Sequence, residues 1–297
     1  MAFACLAGAD AQARHALLLA KSLRDFGGNL SASPVMALVP VGGVIAGEIE
    51  AGLHACDATV VPYALPAALE AVPLAERAAG AAQAEVAARQ VARLLVWLDS
   101  DSLLLREPAG LQIAPQAQIG CRPVDLRLVG SPWGEEPNAF WQAIYAGCGV
   151  DRERVFPVRT TIEREIIRAY FNAGCLVARP EARLLRRWES AILTLAARDE
   201  FRELSGREGL FFHQAVLAGT LMATLRREEI AELPPTVNYP LHLHGRVPKE
   251  RRPGTLSDLE TCRYESVFDL DDWASRVPVD DGLRAWLEPR RWLARNG

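Results

Sequence analysis

Short apolar runs alternate along the chain with stretches in which apolar residues recur every three or four positions. Phe3 to Ala7 is apolar throughout and ends at Gly8. From Asp10 to Phe26, Ala16, Leu19, Ala20 and Leu23 fall at helical spacing until Gly27-Gly28 stops the pattern. Val35 to Val39, bounded by prolines, reads as a second strand, and Val44 to Leu53 as a weaker helix. Ala58 to Tyr63 reads as a third strand, closed by Pro62 and Pro66. The alanine-rich stretch from Ala67 to Arg93 is helical by propensity. It feeds Leu94-Leu95-Val96-Trp97-Leu98, apolar on both faces as the central strand of a helix-covered parallel sheet must be. This succession predicts an α/β fold, a doubly wound and mostly parallel sheet with helices on both faces.

Beyond residue 117 the pattern loosens. Gln118 to Arg122 and Ala173 to Ala178 read as strands; Asn138 to Ala146, Glu181 to Arg198 and Gly209 to Leu225 read as helices. From Leu233 prolines and aromatics dominate, and the pattern supports only short helices, Asp271 to Ser275 and Asp281 to Leu287. No repeat, low-complexity tract or flexible linker interrupts the chain, so a single continuous body is expected.

Composition narrows the class. Of 297 residues half are apolar and 24% charged, which provides a large core and excludes a disordered or collagen-like polymer. Thirty-three Lys and Arg against 37 Asp and Glu give a formal charge of -4, without the basic footprint that nucleic-acid binding requires. A local basic pocket for one small anion remains open. Six cysteines, at 5, 56, 121, 148, 175 and 262, form no C-x-x-C pair. Most lie in apolar company, as buried free thiols do in a reducing compartment. The N-terminus lacks the basic region of a signal sequence, and no apolar run approaches the ~20 residues of a membrane span. A soluble, cytoplasmic protein is expected.

The chemistry concentrates at Asp99-Ser100-Asp101. Two carboxylates one residue apart, at the carboxyl end of a buried strand, are the oxygen donors that a hard divalent cation such as Mn²⁺ or Mg²⁺ prefers. Ligands of doubly wound sheets gather at those strand ends, and a metal there stabilises charge on a leaving phosphate. The alternative is a strand-end turn in which the Asp side chains cap backbone N–H groups. Asp269-Leu270-Asp271 repeats the spacing in a polar terminal segment with no strand before it. At the end of the first strand, Ala7-Gly8-Ala9-Asp10 lets backbone approach a nucleotide at a helix N-terminus; the alternative is an ordinary turn with Asp10 as N-cap. Arg168 is open to two readings, an acceptor or phosphate contact and a surface pair with Glu163 or Glu165.

These segments resemble a known family. Leu95 to Pro108, Leu-Val-Trp-Leu-Asp-Ser-Asp-Ser-Leu-Leu-Leu-Arg-Glu-Pro, resembles the D-x-D segment of GT-A glycosyltransferases, the nucleotide-diphospho-sugar transferases. Tyr170-Phe171-Asn172-Ala173-Gly174-Cys175-Leu176-Val177 resembles the Y-F-N-A-G segment of glycosyltransferase family 8. Phe211 to Leu217 is similar to that family's D-Q-x-x-L-N helix, with His213 in place of the aspartate and Ala218 in place of the asparagine. Leu233 to Tyr239 resembles L-P-x-x-W-N-Y, and His242-Leu243-His244-Gly245 with Lys249 resembles H-x-x-G-x-x-K with the lysine one residue late. The matches follow the family order from residue 1 to about 250.

The resemblance implies a GT-A-like, Rossmann-like fold and a sugar transferase whose donor is a nucleotide-diphospho-sugar, its acceptor unspecified. It implies that Asp99, Asp101 and a histidine, His242 or His244, hold Mn²⁺ or Mg²⁺. In an extended segment the two histidines would share a face. It further implies that Asn172, Ala173, Gly174, His213 and Gln214 meet the donor sugar, and that Asn172 and Gln214 orient it. Lys249 would contact the diphosphate. Arg89 and Ser100, with residues 7 to 10, would contact the rest of the donor, although Arg89 and Arg93 also suit a solvated helix face. Residues 1–120 would form the nucleotide-sugar half, 121–250 the donor-sugar and acceptor half, and 251–297 a tail of short helices. Retention of anomeric configuration would follow if the likeness extends to mechanism. Two other readings stand beside this one. A haloacid-dehalogenase-type phosphohydrolase also begins with strand-D-x-D, but lacks its acidic downstream segment here. A non-catalytic nucleotide-sugar binder is suggested by His213.

Overall fold

The computed structural model describes residues 1–8, 10–202 and 204–296. In chain order the elements begin β1 (Ala2–Leu6), α1 (Asp10–Phe26), β2 (Val35–Pro40), α2 (Gly47–Ala55), β3 (Ala58–Tyr63), α3 (Glu76–Ala88), β4 (Leu95–Leu98), β5 (Ser102–Leu104) and β6 (Ile119–Pro123). They continue with α4 (Ala139–Cys148), β7 (Pro157–Arg159), β8 (Ile166–Arg168), β9 (Phe171–Ala178), α5 (Leu184–Ala196), α6 (Asp199–Arg202), α7 (Gly206–Thr224), β10 (Ile230–Glu232), β11 (Tyr239–Pro240) and β12 (Thr261–Arg263). Three short helices close the chain, α8 (Trp273–Arg276), α9 (Asp281–Leu287) and α10 (Arg291–Ala294). The fold is α/β, with a mostly parallel main sheet flanked by helices.

The chain forms two compact units. One comprises Met1–Pro62, Val96–Gln112 and Leu233–Gly297; the other comprises Tyr63–Leu95 and Ile113–Glu232. In the first, β1 and β2 pair in parallel from Phe3↔Val35 to Leu6↔Leu38, and every residue of β1 is buried. Helix α1 turns Ala13, Ala16, Leu17, Leu19, Ala20 and Leu23 inward and packs on β5, α2 and α10. A three-stranded sheet, β11-β12-β5, joins the last third of the chain to the segment that follows the D-x-D.

In the second unit β10 runs parallel to β6, and β6 antiparallel to β9, with a register shift between Cys121 and Pro123. Helix α7 is buried around most of its circumference from Phe212 to Met222, between α4, α5 and β9, as an all-round apolar helix must be. Glu85 of α3 is fully buried and accepts from Leu185 N at 3.0 Å, Arg186 N at 3.2 Å and Arg186 Nε at 3.1 Å. It caps the first turn of α5, a position where backbone N–H groups lack helical partners and favour an anion.

The six cysteines are free, and all but Cys148 are buried. Among the described residues no helix is long and apolar enough to cross a membrane.

Candidate functional site

Asp99 follows β4 and is 6% exposed; Ser100 is buried and Asp101 half-buried. The turn is tight, Ser102 N donating to Asp99 O at 3.1 Å, and β5 begins at once. On the opposite side lies β12, antiparallel to β5 with Arg263 facing Ser102, and Tyr264 N donates to Asp101 O at 2.9 Å. Buried groups surround the two carboxylates. The Cys5 thiol is pushed up to about 12, first by burial and then by the charge of Asp99. The Cys262 thiol is likewise pushed up to about 12 by burial and by Asp101, and the Tyr264 phenol is raised well above its ordinary range by the same two causes. All three stay protonated at neutral pH.

No group of three or more His, Cys, Asp or Glu side chains among the described residues is placed to hold one ion. The histidine segment is not extended: Leu241–Arg246, between Pro240 and Pro248, forms a 3₁₀ helix, so the alternation that would put His242 and His244 on one face is lost. His242 Nε2 lies 3.3 Å from Glu265 Oε1. His244 Nδ1 meets the Tyr239 hydroxyl at 2.9 Å, and burial, then Arg252, holds its pKa down. A side-chain cation lies beside Asp99: Arg263, whose Nη1 is 3.7 Å from Asp99 Oδ2.

The residues expected at the donor sugar do come together. Asn172 Oδ1 accepts from Gly174 N at 2.7 Å, and Gln214 Oε1, from α7, accepts from Ala173 N at 3.2 Å. Asn172 and Gln214 are both 7% exposed and Ala173 is fully buried. Both amide oxygens thus engage the Asn-Ala-Gly backbone, which fixes the orientation of both amide groups.

His213 lies one residue from this pair yet is 1% exposed. Its carbonyl accepts from Trp188 Nε1 at 2.7 Å and its Nδ1 is 3.2 Å from Leu210 O. Burial, and after it the charge of Arg77, lowers its pKa to about 3. It is therefore neutral at physiological pH, with Nδ1–H donating to Leu210 and Nε2 buried without a hydrogen-bond partner.

Ala7 is buried and donates its N–H to Leu38 O at 2.7 Å. Gly8 donates to Gln12 Oε1 at 3.2 Å, and a Cβ there would stand 2.7 Å from Pro40 Cδ, so close packing selects the glycine. Ala9 lies outside the described residues. Asp10 opens α1 as its first helical residue rather than preceding it as N-cap. Arg89 is exposed at the C-terminal end of α3, and Lys249 is exposed in a short 3₁₀ turn. Arg168 takes neither suggested carboxylate: it donates to Ser131 Oγ and to the Pro132 and Glu135 carbonyls, while Glu165 pairs with Arg127 at 2.9 Å. It thereby clamps a loop beside a cavity of about 690 Å³ that Trp133, Gln142, Tyr145 and Arg152 help to line.

The pattern along the chain did not single out Arg263, Glu265 or Asp125. Asp125, 8% exposed just past β6, accepts from Thr161 Oγ1. The alternation in Thr261-Cys262-Arg263-Tyr264-Glu265 was the available sign that a strand would carry Arg263 to the D-x-D turn.

Against known families, residues 3–222 match the model of the Rhodobacterales glycosyltransferase domain. The chain belongs to that family. This glycosyltransferase matches no curated protein sequence. Its fold is shared with solved glycosyltransferases. The galactosyltransferase LgtC, in complex with donor and acceptor sugar analogues, aligns with a TM-score of 0.52 and 13% identity over 96% of this chain and 99% of LgtC. The bifunctional glycosyltransferase WbbM aligns with a TM-score of 0.54 and 10% identity, over 100% of this chain and 52% of WbbM. GlyE of Streptococcus pneumoniae TIGR4 aligns with 0.51 and 12%, over 98% of this chain and 64% of GlyE. Family membership makes the chain a sugar transferase and sets aside both the phosphohydrolase and the non-catalytic readings.

Proposed function

We propose that this glycosyltransferase takes its sugar from a nucleotide-diphosphate donor and passes it to an acceptor with retention of anomeric configuration. The observation that carries the donor reading is the fixed Asn172–Gln214 arrangement, where two separately recognised motifs meet at the start of β9. Amide groups whose oxygens are held by the backbone are oriented before a ligand arrives, which is how a polar sugar is positioned at small entropic cost. Residues 1–120 would hold the nucleotide, with Ala7, Gly8, Ala9 and Asp10 near the base or ribose and Ser100 at the diphosphate. Arg89 and Lys249 would add charge to its approach, and residues 121–250 would serve sugar and acceptor.

Departure of the nucleoside diphosphate leaves negative charge on its terminal phosphate, and transfer speeds up in proportion to how well that charge is met. A buried thiol and phenol raised far above neutral supply no nucleophile near the D-x-D turn. Retention in this reading proceeds without a covalent sugar-enzyme intermediate at those groups; an inverted product from a defined donor would remove it. Cytoplasmic residence belongs to the same proposal, since nucleotide sugars are made there. A thermal-shift screen of nucleotide sugars tests the donor, because a ligand that binds the native state alone raises its apparent stability. One donor class is expected to raise the midpoint well above the others. An unchanged midpoint with every nucleotide sugar would overturn the reading.

A further inference from the structure

The D-x-D turn is closed by a strand from the far end of the sequence. Antiparallel pairing of β12 with β5 sets Arg263 across from Ser102, and its side chain, 15% exposed, reaches back over Asp99. One guanidinium nitrogen lies 3.7 Å from Asp99 Oδ2 and another 3.3 Å from Glu265 Oε1. The same Glu265 oxygen is 3.3 Å from His242 Nε2. Glu265 is held at φ 45°, a left-handed conformation that a non-glycine residue keeps only where its surroundings enforce it. Asp99, Arg263, Glu265 and His242 thus form a built row of alternating character.

This row disagrees with the metal centre that the D-x-D implies. A divalent cation seated on Asp99 would face a like charge only a few ångströms away, and His242, one of the two histidines expected to complete its shell, lies 3.3 Å from Glu265 Oε1. We propose that Arg263 is the phosphate-binding cation of this site, meeting the donor diphosphate so that nucleotide binding does not require a divalent metal. This rests on the donor reading above. An arginine is chemically suited to that role, since it stays protonated at every physiological pH and its planar fork matches two phosphate oxygens. Asp99 and Glu265 become positioning residues that hold the guanidinium oriented before the nucleotide arrives.

Titration calorimetry with UDP, GDP, ADP and dTDP, each in EDTA and in MnCl₂, tests this. The wild-type chain is expected to bind its preferred diphosphate in EDTA within about threefold of its affinity in MnCl₂. Arg263→Met should weaken binding in EDTA by about tenfold or more, as loss of a charge-assisted contact does, and Arg263→Lys should recover part of it. Titrated with MnCl₂ alone, Arg263→Met should bind the ion more tightly than wild type, because Asp99 is relieved of its partner. Should Met at this position disturb folding, Arg263→Gln keeps a polar side chain of similar reach and carries the same expectation. Wild-type binding that vanishes in EDTA and returns with MnCl₂ would overturn the inference while leaving the donor reading intact. Equal affinity of wild type and the Met and Gln variants in EDTA would do the same. Absence of binding by all four diphosphates in both conditions would overturn the donor reading and this inference with it.

Discussion

Acidification should destabilise this protein through His213, by an amount the site itself sets. The imidazole is 1% exposed, and burial with the nearby charge of Arg77 brings its pKa to about 3, against 6.5 in an unfolded chain. Between those values the unfolded chain carries the proton and the folded chain does not, so protons favour unfolding. Stability is complete above about pH 6.5 and declines as pH falls toward 3. Integrating the linkage relation from pH 7 to pH 5 gives a loss of about 2 kcal/mol from this residue alone. Other groups titrate over the same range, so the measurement is a difference. Urea denaturation of wild type and His213→Gln at both pH values should show wild type losing about 2 kcal/mol more than the variant. Parallel losses in the two proteins would refute the claim that His213 is buried and neutral.

Two further outcomes follow from particular contacts. Glu85→Ala removes the buried carboxylate that caps α5 and pairs with Arg186, and should cost about 3 kcal/mol in the same denaturation assay; a loss under about 0.5 kcal/mol would show that water caps the helix equally well. Gln214→Ala should lower kcat/KM for sugar transfer about a hundredfold while shifting the unfolding midpoint little, since it frees Ala173 N and the donor sugar but leaves the apolar packing of α7 in place.

What the residue pattern conveyed and what it did not divide along physical lines. Helices α1 and α9 and strand β3 occupy the expected spans, because glycine or proline lies near both ends of each helix and Pro62 and Pro66 close the strand. The single helix expected from Ala67 to Arg93 is instead a 3₁₀ turn at Ala67–Leu69 and α3 from Glu76. Alanine propensity hid the break at Pro73, after which Leu74 takes a φ of 61°. Strands β5 and β12 are three residues long and pair with each other across more than a hundred positions, and the two-residue β11 pairs with β12 across 23, so no local period records which segments meet. That Gln214 and the Asn-Ala-Gly segment of β9 would meet was legible because each lies in a contiguous motif. Arg263 was not, because only the β12–β5 register brings it to Asp99. The spacing of the two histidines did not tell whether their segment is extended; between Pro240 and Pro248 it is a 3₁₀ helix.

Sugar transfer from a nucleotide-diphosphate donor at the D-x-D turn is tested most directly by donor turnover without any acceptor. Release of nucleoside diphosphate from each nucleotide sugar is followed for wild type and for Asp101→Asn. Wild type is expected to release it from one donor class, and the variant about a hundredfold or more slowly. Release that is undiminished in Asp101→Asn, or absent with every donor, would contradict a transferase built on this turn.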